Sequence, residues 1–333
     1  RKKLEPAPHF FDFALFVTFF PQLVAGPIVR ASEFLPQLQR KRTFDDVDTH
    51  AAFGQFLAGF LKKAVIADMM AGPAEAVFAA PAEYTAISIA IGVLCYSVQI
   101  YCDFSGYSDM AIGTARLLGY DLTRNFRFPY LAGNITDFWR RWHISLSGWL
   151  RDYLYISLGG NRGSRLFTHR NLVLTMLLGG LWHGAGWNFV VWGAIHGIAL
   201  VIHKEWIQHV GEGKLPILSR LMTIYTVLLA WIYFRAPNFQ DAWIMTKAWV
   251  LWDSPGDKSI DIWAPNPAWD PSSRILLIIL PLLALHIMAS CNLHLLLRRT
   301  LPAWLITLLF GVISALALAF MPLEARPFIY FQF

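Results

Sequence analysis

Residues 171–206 read NLVLTMLLGGLWHGAGWNFVVWGAIHGIALVIHKEW and place one histidine, His183, inside a long apolar run. Four glycines interrupt the run around this histidine, at positions 179, 180, 184 and 186. A titratable ring at membrane depth is costly and commonly functional, and glycine lets the backbone turn or another group approach closely. The stretch therefore predicts either a chemical site inside a membrane or a buried histidine that hydrogen-bonds between two helices.

The overall composition is that of a membrane protein. Hydrophobic residues make up 56% of the chain and charged residues 15%, whereas soluble domains carry about 25% charged residues. The net charge of +6 is better explained by cytoplasmic loops than by a nucleic-acid surface, because the basic residues flank apolar spans. The three cysteines have no metal-ligand spacing, so we expect neither a metal site nor a disulfide framework.

Seven apolar stretches approach the length of about 20 residues that crosses a hydrocarbon core. They cover residues 10–29, 51–70, 84–102, 171–203, 217–234, 274–290 and 301–321. Pro21 and Pro27 interrupt the first stretch, which predicts a kinked or re-entrant segment. Lys62, Lys63 and Asp68 in the second predict a helix with one wet face.

The charges of the loops predict an orientation. Residues 116–170 contain nine arginines and three acidic residues, so we expect a cytoplasmic-side interfacial segment there. Between residues 235 and 270 the acidic residues outnumber the basic ones, five to three, which indicates the outside. Lys204 and the pair Arg298 and Arg299 mark the inside again.

This orientation constrains the stretch that contains His183. Residues 171–203 have to begin and end on the inside, and these 33 residues are too few for two crossings of about 20 residues each. A re-entrant or broken hairpin with its bend near residues 180–186 fits, and it would place His183 at the tip at membrane depth. A single long tilted helix is the alternative.

The segment 134–162 is too polar for a span and too aromatic for a solvated loop. On helical spacing one side is formed by Phe138, Trp142, Ser145, Trp149 and Tyr153, which predicts helices lying at the cytoplasmic interface. Arg140, Arg141 and Arg151 could bind the phosphates of an anionic cofactor. The alternative is that they anchor lipid headgroups.

Two further histidines lie near or within apolar segments. His143 alone would be an interfacial structural residue, but together with His183 it predicts two titratable groups that converge on one cavity. Imidazole is the usual general base near neutral pH. We expect His196 to be a helix-packing residue.

Residues 99–113 interleave polar and small side chains. Ser105 and Asp109 share a helical face, as do Asp103 and Tyr107. Carboxylates in such a stretch need partners or water, which predicts a polar cavity. Pairing of the carboxylates with Arg124 or Arg127 is the alternative.

Five stretches of sequence, taken together, carry a family resemblance. They read FFPQLVAGPIVR (19–30), YCDFSGYSDMAIG (101–113), NFRFPYLAGNITDFWRRWHISLSGWLRDYLYISLGGNR (125–162), LWHGAGWNFVVWGAIHG (181–197) and PFIYFQF (327–333). In this order they resemble the membrane-bound O-acyltransferase (MBOAT) family, and within it the bacterial branch of alginate O-acetyltransferases and D-alanyl transfer proteins. The resemblance implies an all-α polytopic membrane protein: one domain over residues 1–333, lacking N-terminal spans, with re-entrant and interfacial helices around a central tunnel.

The resemblance also implies residue roles and partners. His183 would be the catalytic histidine and His143 the second active-site histidine, which would orient the reacting group or steady the oxyanion. The expected tunnel-lining residues are Asp103, Ser105, Tyr107, Asp109, Asn134 and Trp182. No permanently bound cofactor is expected: acetyl-coenzyme A would bring the acyl group from the cytoplasm, with its diphosphate on the arginine-rich inner face. The partners would be membrane lipids, an extracytoplasmic acetyltransferase and a polysaccharide export complex in the bacterial inner membrane, and no nucleic acid.

Other functions remain compatible with the residues alone. A transporter or flippase of a polysaccharide export system could use the same broken helix, although the absence of an internal repeat argues against it. A D-alanyl transfer protein of the same family and a noncatalytic membrane scaffold are further alternatives. Consumption of a thioester by the protein would distinguish the enzyme from the transporter and the scaffold.

Overall fold

The computed structural model describes residues 9–23, 25–41, 43–262, 275–291, 300–321 and 328. Within these ranges all regular secondary structure is helical, apart from one isolated bridge between Tyr84 and Lys258. Among the described residues four helices are long and apolar enough to cross a membrane: Ala86–Leu117, Trp187–His209, Pro216–Arg235 and Ala303–Phe320. The prediction of an all-α integral membrane protein is therefore confirmed.

The fifth of the first five helices is long and lies at the centre of the bundle. The five helices are α1 (Phe10–Thr18), α2 (Ala31–Leu38), α3 (Thr49–Leu61), α4 (Asp68–Ala79) and α5 (Ala86–Leu117). The first apolar stretch breaks after Thr18 and continues as a 3₁₀ turn over Phe20–Gln22, as its prolines predict. Helix α5 has 32 residues, so it extends well beyond the apolar stretch 84–102.

A six-residue π-helix, Lys62–Ala67, joins α3 to α4 and turns two lysines toward α5. Nζ of Lys63 lies 2.6 Å from a carboxylate oxygen of Asp103 and 3.2 Å from one of Asp68. The predicted wet face is therefore wrong: these charges face carboxylates inside the helix bundle because α5 supplies the counter-ions. Single π turns inside α-helices are frequent at functional sites.

The interfacial segment is broken into short pieces. They are α6 (Ile135–Trp139), α7 (Ile144–Trp149) and a second π-helix, Leu150–Tyr155. Phe138, Trp142 and Ser145 are buried, whereas Trp149 and Tyr153 are exposed. The prediction that these five residues form one side of a helix is therefore correct only for the first three. The chain turns between α6 and α7, so the last two face elsewhere.

Helices α8 (Arg165–His183) and α9 (Trp187–His209) form a hairpin with a three-residue turn. The predicted bend and the position of His183 at its tip are confirmed, and the single long helix is excluded. The expectation that the stretch is too short for two crossings is wrong, because Trp187–His209 alone is long and apolar enough to cross a membrane. The arms have 19 and 23 residues, or about 28 and 34 Å. They are longer than the apolar count suggested, because the charged residues at the open end are helical too.

Glycines set the spacing of the hairpin. A Cβ on Gly180 would lie 2.2 Å from the carbonyl oxygen of Phe189, and one on Gly193 would lie 2.4 Å from that of Met176. Such contacts leave no room for any side chain, so the two backbones touch. In an apolar environment close packing of this kind is a main source of helix association.

Four further helices complete the described chain. They are α10 (Pro216–Arg235), α11 (Phe239–Leu251), α12 (Ile275–Ser290) and α13 (Ala303–Phe320). Trp231 of α10 packs with its ring centroid 6.5 Å from that of Tyr96 on α5, and both rings are fully buried. Helices α5 and α10 therefore form the centre of the core. The orientation pair Arg298 and Arg299, and the stretch 327–333 except Phe328, lie outside the described residues.

Candidate active site

His183 lies at the tip of the hairpin among aromatic rings. It is the last residue of α8, directly before the turn at Gly184. Its ring centroid lies 5.2 Å from Trp192 of α9 and 5.0 Å from Phe234 of α10, both edge-on. Three helices therefore position this half-buried imidazole.

A hydrogen bond fixes the tip against α10. The side-chain amide of Asn188, in the first turn of α9, donates to the carbonyl oxygen of Ala236 at 2.9 Å. Ala236 directly follows α10, which carries Phe234. The bond therefore holds the aromatic wall of α10 against His183.

His143 is buried at the turn that begins α7. Its backbone has a φ of +43°, a left-handed conformation that is uncommon for a residue other than glycine. Its side chain shares a hydrogen bond of 3.0 Å between Nδ1 and Oδ1 of Asn125. The ring lies edge-on to Phe104 of α5 with centroids 4.6 Å apart. The backbone conformation, the hydrogen bond to Asn125 and the contact with the Phe104 ring together fix the orientation of the His143 side chain.

His143 and His183 lie near the two ends of a row of aromatic rings. Burial lowers the pKa of His143, and the electrostatic influence of His183 lowers it further. The row begins at Trp142, the residue before His143: Trp142 contacts Trp231 at 5.0 Å, Trp231 contacts Phe234 at 5.4 Å, and Phe234 contacts His183. His143 is therefore neutral near pH 7, the form that can accept a proton.

Three of the predicted tunnel residues join the lysines of the first π-helix. Lys62 donates to Ser105 at 3.0 Å and pairs with Asp109, while Lys63 pairs with Asp103. The shared face of Ser105 and Asp109 is confirmed by their common partner. The cationic partners of the carboxylates are the two lysines of the π-helix, and within the described residues no pairing with Arg124 or Arg127 is formed.

The other three predicted tunnel residues occupy separate places. Tyr107 is half-buried, with its ring 5.1 Å from Phe328. Asn134 caps α6 by accepting the backbone N–H of Asp137 at 2.8 Å, the usual role of asparagine at a helix start. Trp182 is 55% exposed at the hairpin tip next to His183.

The three predicted cofactor-binding arginines differ in their partners. Arg141 donates to Asp137 at 2.8 Å and Arg151 to Asp152 at 2.8 Å. The side chain of Arg140 is exposed and makes no hydrogen bond within the part of the chain that the structure describes. Arg140 is therefore the one of the three whose guanidinium group is exposed and makes no hydrogen bond within the described residues.

Asp152 anchors the second π-helix to the N-terminal part of the chain. Its carboxylate accepts a hydrogen bond from Arg151 and another, 2.6 Å long, from Arg30. The bond from Arg151, followed by that from Arg30, lowers the pKa of Asp152 to about 2. The pair with Arg30 spans 122 residues of sequence, so it is a tertiary contact.

Asn125 is the site residue that sequence reasoning missed. It is fully buried and contacts His143, which follows 18 residues later. The local signal was only a polar amide at the start of the aromatic stretch NFRFPY (125–130). Helical spacing could not link the two side chains, because a loop and a turn separate them.

Comparison with known proteins places the chain among membrane acyltransferases. A profile described as "MBOAT, membrane-bound O-acyltransferase family" matches residues 2–243. The chain is 48% identical over 245 residues to the probable alginate O-acetylase AlgI of Pseudomonas aeruginosa, covering 73% of this chain and 46% of that protein.

Two further relatives carry different names. The peptidoglycan O-acetyltransferase of Helicobacter pylori is 47% identical over 247 residues, covering 73% of this chain and 47% of that protein. The teichoic acid D-alanyltransferase of Streptococcus thermophilus is 28% identical over 269 residues, covering 71% of this chain and 64% of that protein. The chain spans about half the length of the first two relatives. The family profile covers 242 residues of the chain, and the relative from Pseudomonas aeruginosa is 48% identical to it. The chain therefore belongs to the membrane-bound O-acyltransferase family.

Proposed function

We propose that this protein is an O-acyltransferase that passes an acetyl group from a cytoplasmic thioester across the bacterial inner membrane, for O-acetylation of an exported polysaccharide. The observation that carries the proposal is the row of aromatic rings from Trp142, beside His143, to Phe234, which contacts His183 at the tip of the α8–α9 hairpin. Family membership supplies the reaction type, and two buried or half-buried imidazoles supply groups that can move a proton.

The chemistry needs one proton acceptor and a route for the leaving group. The oxygen of an acceptor hydroxyl attacks the thioester carbonyl carbon while His183 takes the hydroxyl proton. The C–O bond forms, the C–S bond breaks, and the imidazolium returns its proton to the departing thiolate. The aromatic wall of Trp192, Phe189 and Phe234 keeps water from competing with the acceptor.

The choice of acetyl over D-alanyl rests on the relatives. The two named for O-acetyl transfer are 48% and 47% identical to the chain, whereas the one named for D-alanyl transfer is 28% identical. For the donor we propose acetyl-coenzyme A, because Arg140 offers an accessible forked donor for a phosphate. An extracytoplasmic acetyltransferase partner and an export complex would complete transfer to an alginate-like polymer.

The test is the acetate content of the exported polymer in cells that carry variants of the chain. We expect His183→Ala to remove polymer acetate and His143→Ala to reduce it severely, because general acid–base catalysis typically contributes about 10²–10⁴-fold. His209→Ala is the matched control, because His209 is an exposed histidine near the charged open end of the hairpin. It should retain wild-type acetylation.

Membrane levels of each variant have to match the wild type. Normal acetylation in a folded His183→Ala variant would contradict the proposal. Normal acetylation after His143→Ala would restrict the catalytic assignment to His183. Solute transport by the reconstituted protein without thioester consumption would favour a transporter instead.

A further inference from the structure

A buried asparagine joins three segments of the chain beside His143. Oδ1 of Asn125 accepts hydrogen bonds from Nδ1 of His143 (3.0 Å), the backbone N–H of Ser145 (3.3 Å) and the hydroxyl of Ser145 (2.9 Å). Its Nδ2 donates to the hydroxyl of Ser108 on α5 at 3.3 Å. Asn125 has no exposed surface, so each of these polar contacts is made away from water.

The orientation of this amide is determined by its neighbours. A backbone N–H can only donate, so the atom facing the N–H of Ser145 has to be the oxygen. The hydroxyl of Ser145 already accepts from the backbone N–H of Ile28 at 3.0 Å, which leaves its proton for Asn125. Exchanging the oxygen and nitrogen of the amide would therefore place donors against donors.

The oxygen in turn determines the tautomer of His143. An amide oxygen only accepts, so Nδ1 of His143 has to carry the proton. In the neutral ring Nε2 then carries the lone pair. Within the described residues Nε2 has no hydrogen-bond partner. We propose that Asn125 is a positioning residue that holds His143 as the Nδ1–H tautomer, so that Nε2 accepts a hydrogen bond from a hydroxyl of the acceptor sugar other than the one that His183 deprotonates.

This inference rests on the proposed acyl transfer and assigns His143 one of two expected roles. A lone pair on Nε2 cannot donate a hydrogen bond to an oxyanion. A neutral His143 therefore orients the acceptor through a neighbouring hydroxyl, leaves the attacking hydroxyl to His183 and does not stabilise the negative charge. The role of an outer hydrogen bond in selecting an imidazole tautomer is common to catalytic and metal-binding histidines.

The backbone reinforces the same arrangement. The N–H of Ile144 donates to the carbonyl oxygen of Asn125 at 2.9 Å, and the N–H of Arg127 donates to that of Arg141 at 2.9 Å. These two bonds hold the segment around Asn125 alongside the turn that carries His143. The left-handed backbone of His143 is thus held from both sides, which is the condition under which such strain persists.

The first experiment measures the tautomer without using activity. The full chain, labelled with ¹⁵N histidine, is studied in detergent micelles near pH 7, and the signals of His143 are assigned by their loss in His143→Gln. We expect a protonated Nδ1 and an unprotonated Nε2. A protonated Nε2 would overturn the inference, whereas the expected tautomer in a protein without acyl-transfer activity would count against the proposed function alone.

The second experiment uses Asn125→Leu and Asn125→Asp. Leucine has a similar size and no acceptor, so kcat should fall about 10- to 100-fold with little change in the KM for the donor, the range typical for outer partners of oriented histidines. Aspartate keeps the acceptor and adds a charge, so activity should persist. The acidic limb of its pH profile should move up by about 1–3 units, because a nearby carboxylate favours imidazolium. His183 is the titratable group whose charge reaches His143 in the described structure.

Ser108→Ala is the matched control, because it removes only the bond from Nδ2 of Asn125 and leaves the acceptor oxygen in place. It should keep kcat within about twofold of the wild type. Equal losses in Ser108→Ala and Asn125→Leu would overturn the inference, and so would an unshifted pH profile in an active Asn125→Asp. If Asn125→Leu fails to fold, the Asn125→Asp profile and the tautomer measurement still decide.

Discussion

Replacing Lys63 by methionine should destabilise the helix bundle strongly. The substitution keeps an unbranched chain of high helix propensity and removes only the charge. The carboxylates of Asp103 and Asp68 would lose their ammonium partner at 2.6 and 3.2 Å, while their side chains are only 4% and 8% exposed. Breaking a buried ion pair from one side typically costs about 3–5 kcal/mol.

The neighbouring lysine provides the matched comparison. Lys62→Met breaks the pair with Asp109, whose side chain is 27% exposed and keeps a hydrogen bond from Gln55 at 3.1 Å. Water and glutamine can therefore compensate part of the loss. We expect a cost of about 1.5 kcal/mol, the lower end for a hydrogen bond to a charged group.

The assay is unfolding of the purified protein in mixed detergent micelles, followed by tryptophan fluorescence. The double variant Lys63→Met with Asp103→Asn should recover at least half of the loss, because a neutral amide is less costly to bury than a carboxylate that has lost its ammonium partner. Equal costs for the two lysine variants, or no recovery in the double variant, would refute the reasoning that burial of the carboxylates paired with Lys63 sets the difference.

Three further predictions follow from the hairpin, the interfacial segment and the arginines. Gly180→Ala should lower the free energy of unfolding by about 1–3 kcal/mol, the usual range for overpacking. Gly186→Ala should be near neutral in the same unfolding assay, because its Cβ would lie 3.7 Å from the nearest side chain. The folded-state pKa of Asp152 is about 2, below the unfolded value of ~3.9. The stability that Asp152 contributes is therefore present above pH ~4 and lost as the pH falls toward ~2, and Asp152→Asn should remove this part of the acid sensitivity of unfolding. Arg140→Gln should raise the KM for acetyl-coenzyme A more than it lowers kcat in an acyl-transfer assay, and an unchanged KM would exclude Arg140 from donor binding.

Local sequence predicts the hairpin and its histidine well. The glycines around His183 and the charge at both ends of residues 171–203 were sufficient to predict a bend with this residue at the tip. The lengths of α8 and α9 were underestimated, because a count of apolar residues omits the charged turns that extend each helix. The bend of the hairpin can therefore be predicted from the local sequence, whereas the lengths of its two helices cannot.

Contacts between distant segments could not be predicted from spacing. Lys63 and Asp103 are 40 positions apart, and a π-helix, which the sequence pattern does not predict, turns the lysine toward α5. Asn125 and His143 meet because a loop folds back onto a turn with left-handed backbone. Both interactions arise from tertiary packing, which helical periodicity does not encode.

The most direct test of the central claim is acyl transfer by the purified full chain in proteoliposomes, supplied with labelled acetyl-coenzyme A and a hydroxyl acceptor. We expect transfer by the wild type and by His209→Ala. With His183→Ala, transfer should fall by about 10²–10⁴-fold, the usual contribution of a general base. Transfer by a folded His183→Ala variant at the wild-type rate would contradict the assignment of His183 as the catalytic base.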